Sequence, residues 1–385
     1  MTNKPGFQSD FSVEQHSVAT IISKMLILFG LLYLFILSIT LLGGSFKHMG
    51  KDFADTIFHA TSNPIIALMI GVLTTAIVQS SSTTTSIIVG LVAVGSGTGE
   101  LIDGAPILTF EAAIPMIMGA NIGTSVTNIL VSLGHITRGD EFRRAFTGSM
   151  LHDFFNVCAV AVLLPIEIYF GIIAKTSVYL ESTFSGFGGM KFMSPLKAIT
   201  KPVSKWIIKT TGDSGAISAL IAMIFLFVAL FFIVKLLKSM VLSKVEKFFQ
   251  RYVFRTPILS FVLGIILTTF VQSSSITTSL VVPLIGAGVI SITQVYPYLL
   301  GANVGTTITA FLASFVTGSH AAVALAFSHL MFNVFGIAIF WPLKAIPIWM
   351  AEKLSYLTQK SKAVPIIYVV TVFFIIPGVI IYFFR

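Results

Sequence analysis

Val78-Gln79-Ser80-Ser81-Ser82-Thr83-Thr84-Thr85-Ser86 returns later in the chain as Val271-Gln272-Ser273-Ser274-Ser275-Ile276-Thr277-Thr278-Ser279. Over 78–89 and 271–282, nine of twelve positions are identical. Both copies lie in apolar surroundings, with no charged residue in 61–99 or in 256–343. Hydroxyl-rich, uncharged stretches at membrane depth are costly unless they bind each other or a ligand. One copy per half points to a site at the interface of two repeats, the architecture of a secondary transporter.

The surrounding composition agrees with a membrane setting. Of 385 residues, 55% are hydrophobic and 10% charged, and the mean hydropathy is +0.95. These values indicate an all-α polytopic membrane protein. The net charge of +9 does not indicate a nucleic-acid partner, because the basic residues cluster between apolar segments. Lys235, Lys238, Lys244, Lys247, Arg251 and Arg255 form one cluster, and Lys344, Lys353, Lys360 and Lys362 another. Such clusters fit cytoplasmic loops. The lone cysteine, Cys158, excludes an intrachain disulfide. Residues 1–20 form a polar N-terminal tail without a cleavable-signal pattern.

Outward from the motif, 21–42 is long enough for one span. Residues 64–94 read as a helical hairpin or broken helix around the first Gln-Ser-Ser-Ser. Residues 107–133 read as a segment broken at Gly119-Ala120-Asn121-Ile122-Gly123-Thr124, and 146–173 as a span carrying His152, Asp153 and Asn156. The second half repeats the order with a span at 216–234, a hairpin at 257–290, a broken segment at 296–315 and a His/Asn-bearing span at 322–343. Between 236 and 255, apolar residues alternate with Lys and Arg, which predicts a helix lying on the cytoplasmic surface.

Three collinear matches establish the duplication. Gln79 pairs with Gln272, Gly119-Ala120-Asn121 with Gly301-Ala302-Asn303, and His152-x-x-Phe155-Asn156-Val157 with His329-x-x-Phe332-Asn333-Val334. If the hairpins are re-entrant, each half crosses three times, and an odd number inverts the second half. The chain then divides into repeat 1 (21–174), a connecting loop (175–214), repeat 2 (215–347), and an amphipathic segment with one final span (348–385).

Each pattern has its own chemistry. The Gln-Ser-Ser-Ser stretches offer hydroxyls, an amide, and N–H groups freed where a helix breaks, which together form an anion cradle. The alternative is back-bonding or close packing by small residues. Paired glycines in the Gly-Ala-Asn segments permit unwound backbone, where carbonyl, Asn and Thr oxygens suit a monovalent cation better than a divalent one. Close helix packing is the competing explanation. His152, Asn156, His329 and Asn333 line the pathway or support the broken helices. Asp153 is an ionisable group inside a span, but its repeat partner is Leu330. Glu111 sits near a segment end and faces water. No Lys or Arg lies near the serine clusters, so an entering anion would need cations such as sodium to neutralise it.

At these motifs the sequence resembles the type II sodium-dependent phosphate cotransporters. The paired Gln79–Ser82 with Gly119–Thr127 and Gln272–Ser275 with Gly301–Thr309 carry the likeness, together with Glu141-Phe142-Arg143-Arg144-Ala145-Phe146 leading to His152-Asp153-x-Phe155-Asn156. The resemblance covers roughly 20–345 and implies a transporter rather than an enzyme. It implies inorganic phosphate at Gln79, Ser80, Ser81, Ser82, Gln272, Ser273, Ser274 and Ser275. It implies co-transported sodium at Asn121, Thr124, Thr127, Asn303, Thr306 and Thr309, with Asp153, Asn156 and Asn333 in the pathway or its support. The 175–214 loop lacks cysteine and Asn-x-Ser/Thr, and the chain ends soon after one extra span, which suits a multi-pass protein of a bacterial inner membrane. A sodium-coupled carboxylate carrier, a channel, and an intramembrane hydrolase using Ser80 or Ser273 are the competing classes. The two-fold symmetry of the motif opposes a single active serine.

Overall fold

The structure, a computed structural model, describes residues 18–96, 107–186, 194–248 and 256–384, and these are helical and loop throughout. Helix α1 (Val18–Thr61) turns at Gly50, whose φ of 80° only glycine adopts readily. Helix α2 (Pro64–Val78) begins with proline in its first turn and Asn63 accepting the Ile65 N–H at 2.9 Å. Its repeat counterpart α10 (Pro257–Val271) begins the same way, with Thr256 as the cap. Proline suits this place because the first-turn N–H has no helical acceptor. At 15 residues, each is about 22 Å long, short of the roughly 30 Å hydrocarbon core.

Both helices stop at the motif glutamine and a new helix starts within two residues. Helix α3 (Ser81–Ser96) follows α2, and α11 (Ser274–Ser279) with α12 (Val282–Gly286) follows α10. The remaining pairs are α4 (Phe110–Gly123) and α5 (Ser125–Leu133) against α13 (Ile292–Thr317), and α6 (Asp140–Phe170) against α14 (His320–Phe340). Helix α9 (Gly215–Phe248) packs along α1. Among the described residues, seven helices or helix pairs are long and apolar enough to cross a membrane. Three precede residue 171, three lie between 215 and 340, and the last is Val364–Phe384.

The Gly-Ala-Asn segments depart from the expectation of unwound backbone. Helix α4 continues through them to Gly123, with a one-residue break at Thr124, and α13 has no break at all. A Cβ on Gly119 would overlap the Leu68 carbonyl oxygen, and one on Gly301 the matching Phe261 oxygen. Gly71 and Gly264 face back across the same contacts, against the Met116 and Tyr298 carbonyls. The glycines therefore bring two backbones together. Keeping them helical costs about 1 kcal/mol each relative to alanine, less than leaving carbonyls unpaired in an apolar interior.

Two other expectations need correction. The connecting stretch 175–214 is largely helical, comprising most of α7 (Ile172–Gly186) and all of α8 (Ser194–Thr210). Gly171 breaks the chain at φ 61°, and the Glu167 carboxylate caps α7 by accepting the Ile173 and Ala174 N–H groups at 2.6 and 3.1 Å. In α8, Thr200, Ser204, Ile207 and Ile208 are buried on one face while Lys201, Lys205 and Lys209 are exposed on the other. The lysines recur every fourth residue, so the sequence carried this amphipathic helix. In addition, α9 runs on to Phe248 rather than ending before 236; residues 249–255 of the expected surface helix lie outside the described residues.

Helix α15 (Ala345–Leu357) follows, and the final span comprises α16 (Val364–Val370), a π-turn at Thr371–Ile375 and α17 (Ile376–Phe384). Pro377 has no N–H for the preceding turn, and the widened turn accommodates it.

Gly119→Ala and Gly301→Ala should each lower the thermal unfolding midpoint in detergent, at a cost of about 1–3 kcal/mol from overpacking. Gly30→Ala, in the interior of α1 where a Cβ meets nothing within 4 Å, should instead raise the midpoint slightly, because alanine is the better helix former.

Candidate functional site

Each motif glutamine sits in the left-handed region, Gln79 at φ 56° and Gln272 at φ 57°. Such a conformation is uncommon for a residue with a side chain and costs of order 1 kcal/mol or more. Both turns are held by the same bonds. The Gln79 N–H reaches the Thr75 carbonyl at 2.8 Å, and the Gln272 N–H the Thr268 carbonyl at 2.7 Å. Each side-chain Nε2 donates to a last-turn carbonyl, Ala76 or Thr269. Each Oε1 accepts from a threonine of the same repeat, Thr127 or Thr309, at 2.9 Å. The glutamines therefore close α2 and α10, and one hydrogen of each amide stays available.

The serines after them open the next helices. Ser80 Oγ accepts from the Thr83 N–H at 3.2 Å, and Ser273 Oγ from the Ile276 N–H at 3.4 Å. Ser82 Oγ crosses to the Gln272 carbonyl at 3.0 Å, so the two motifs touch. Ser81, Ser274 and Ser275 are buried, and their hydroxyls bond to no described residue. No Lys or Arg is among the buried described residues. A cluster of buried hydroxyls with first-turn N–H groups and no cation is an acceptor for an anion only if its charge is met by something else.

The six sodium candidates divide into three pairs. Thr127 and Thr309 touch the motif glutamines. Thr124 and Thr306 donate to carbonyls one turn back, Ala120 and Ala302, both at 2.9 Å. Asn121 and Asn303 lie in a network with the histidines instead. His152 of repeat 1 meets Asn303 of repeat 2 through Nε2···Oδ1 at 2.6 Å. His329 of repeat 2 meets Asn121 of repeat 1 through the same atoms at 3.2 Å. Asn156 and Asn333 complete this layer, Asn156 accepting from Asn303 Nδ2 at 2.9 Å and Asn333 donating to the His329 carbonyl at 2.8 Å.

The pairing is unequal between the halves. Asn303 Nδ2 has Asn156 Oδ1, but their counterparts Asn121 Nδ2 and Asn333 Oδ1 have no partner. His152 Nδ1 has Ser125 Oγ at 3.2 Å, whereas His329 Nδ1 has none. Thr268 bonds Thr277 at 2.7 Å, whereas Thr75 Oγ1 is unpaired. Thr278 and Ser279 both donate to Asn128 Oδ1 at 2.9 Å, whereas Thr85 and Ser86 hydroxyls have no partner.

Asp153 is also asymmetric, and so is its partner. Its Oδ2 accepts from Tyr368 Oη at 2.5 Å. Tyr368 belongs to the final span, which has no equivalent in repeat 1. Neither Tyr368 nor Asn128 was marked by the sequence repeats, since Asn128 aligns with Ala310 and Tyr368 with nothing. Glu111 lies in the first turn of α4 and is outside this cluster. Among the described residues, no three His, Cys, Asp or Glu side chains gather as a metal cluster would.

Tyr368→Phe should destabilise the protein by about 1.5–3 kcal/mol, because it removes the donor from a buried carboxylate. Adding Asp153→Asn should recover part of that loss, a coupling read from a double-mutant cycle of unfolding midpoints. Strict additivity would show that the two side chains do not act together.

The family model described as Na+/Pi-cotransporter matches residues 34–194 and 217–342. Sodium-dependent phosphate transport protein 2A of Rattus norvegicus is 32% identical over 443 residues, covering 94% of this chain and 68% of that protein. Protein 2B of Homo sapiens is 32% identical and that of Pongo abelii 31%, each over 455 residues and 92% of this chain. This chain spans 64% of the length of those two 2B relatives. No solved structure matches. The two matched blocks hold both Gln-Ser-Ser-Ser turns and both His/Asn helices, and the chain belongs to the Na+/Pi-cotransporter family.

Proposed function

We propose that this chain is a sodium-coupled transporter of inorganic phosphate, working by alternating access with its substrate held between the two Gln-Ser-Ser-Ser turns. The observation that carries this reading is the contact of the turns through Ser82 Oγ and the Gln272 carbonyl, in an interior with no buried Lys or Arg among the described residues. The relatives named above are sodium-dependent phosphate transport proteins.

Phosphate would be met by the hydroxyls of Ser80, Ser81, Ser82, Ser273, Ser274 and Ser275, the free amide hydrogens of Gln79 and Gln272, and the N-terminal turn of α3. Hydroxyls both donate and accept, so they suit an oxyanion in more than one protonation state. A multiply charged anion is poorly stabilised there alone. Sodium held by neutral oxygens, foremost Thr127 and Thr309 beside the glutamines and then Thr124, Thr306, Asn121 and Asn303, supplies the missing positive charge. Coupling follows from that electrostatic requirement: each ligand raises the affinity for the other by the same factor.

The unequal pairing of the halves supports two states related by exchange of the repeats. In this state Asn303–Asn156, His152–Ser125 and Thr268–Thr277 are joined. The exchanged state would join Asn121–Asn333, His329–Thr307 and Thr75–Thr84 instead. Three apolar spans in each half, with the bent pair Asp52–Thr61 and Pro64–Val78 taken as re-entrant, are consistent with inverted repeats, which place such an exchange across the membrane.

Radiolabelled phosphate uptake into proteoliposomes tests the reading directly. Uptake should require an inward sodium gradient, fail with potassium or choline, and be blocked by unlabelled phosphate but not by succinate. Inhibition by succinate would move the substrate to a carboxylate, and flux without saturation would replace the carrier by a pore. The exchange makes its own prediction: Asn156→Ala should lower the unfolding midpoint by the cost of an unpaired buried amide, about 1–3 kcal/mol. Asn333→Ala should change the midpoint less while slowing uptake. Equal effects of the two on both readouts would remove the exchange.

A further inference from the structure

A cavity of about 430 Å³ lies away from the two serine turns, between α1, α3, α8 and the C-terminal end of α13. Helix α3 runs from Ser81 at the motif to Gly90 and Val94 on its wall, about 20 Å along the axis. Lys201 and Lys205 enter its lining from α8, and Lys47 and His48 from α1. Ser204 and Thr317 add hydroxyls, and no carboxylate lines it among the described residues. His48 Nδ1 is engaged by the Gly44 carbonyl at 3.0 Å, which leaves Nε2 for another partner.

The wall is fixed in place. Thr40 and Thr200 join α1 to α8 at 2.9 Å, and both Thr200 and Ser204 are buried. At Gly44 a Cβ would come within 2.9 Å of the Ile208 Cδ1 methyl, so α8 packs closely on α1 there. The lysines thus stand on a docked helix rather than on a free loop. Like charges gathered around one concavity, with hydroxyls and no acid among the described lining residues, lower the free energy of an anion more than of any neutral or cationic ligand. Ammonium groups combined with hydroxyl donors suit a phosphate oxyanion in particular.

We propose that this cavity is a second binding site, separate from the serine turns, for a phosphate-class anion held by Lys201 and Lys205. The shared chemistry is a phosphate group, supplied either as free inorganic phosphate or as the phosphodiester of an anionic lipid headgroup. The site is independent of which ion the protein transports. Both lysines are exposed, so replacing them leaves the buried face of α8 intact, and salt should weaken the binding. Lys209 lies one turn further along the same lysine stripe but does not line the cavity, and it serves as the charge-matched control.

The test uses the full-length protein purified in neutral detergent with potassium salts and no sodium. In the first arm, inorganic phosphate is titrated and its phosphorus resonance followed. In the second, the protein is reconstituted into phosphatidylcholine vesicles containing phosphatidylglycerol, re-extracted, and its retained lipid measured. If free phosphate is the occupant, wild type and K209Q broaden the resonance and K201Q/K205Q binds at least fivefold more weakly. If a lipid headgroup is the occupant, phosphate does not distinguish the proteins, and K201Q/K205Q alone loses retained phosphatidylglycerol. The proposal is overturned if K201Q/K205Q matches wild type in both arms, or if K209Q loses as much as the double variant.

Discussion

The structure depends on the need to pair polar groups that an apolar interior cannot solvate. Two imidazoles, five asparagine side chains and a row of hydroxyls are buried. Many of these groups pair within their own repeat, but the Nε2 atoms of His152 and His329 each reach the asparagine of the opposite repeat. An unpaired buried polar group costs about 1–3 kcal/mol, so these crossed bonds tie the halves in one register. Hydrophobic packing alone would not set that register, since lipid competes equally well for apolar surface.

Within each repeat, glycine contacts draw two helices together. Where Gly119 meets Leu68 and Gly301 meets Phe261, an added Cβ would overlap a backbone carbonyl, so glycine sets the separation of the paired backbones. The same close packing holds the ends of α2 and α10, so that strain at Gln79 and Gln272 is sustained by bonds to Thr127 and Thr309. Strained backbone persists only where its surroundings over-determine it. It recurs at the same residue of both repeats.

Symmetry is broken at two levels. In sequence, Asp153 stands opposite Leu330 and Asn128 opposite Ala310. In structure, the final span adds Tyr368 to Asp153, and Asn128 gathers Thr278 and Ser279 while their counterparts Thr85 and Ser86 go unpaired. A duplicated scaffold thus holds two halves that are alike in chain path and unlike in hydrogen bonding.

The membrane class, the order of the repeats and the positions of the serine turns were legible in the amino-acid order, because apolar length and exact recurrence are one-dimensional signals. It also holds the α8 lysine spacing, although the Gly, Ser and Pro of 175–214 give that stretch the composition of a loop. The state of the Gly-Ala-Asn segments was different, since paired glycines serve an unwound turn and a close helix contact equally well. Only the presence of α2 and α10 against them decided for the contact. Which asparagine meets which histidine, and that Tyr368 completes Asp153, likewise rested on tertiary structure. Those partners lie 147 to 215 residues apart, and local sequence carries no information about pairing over such a distance.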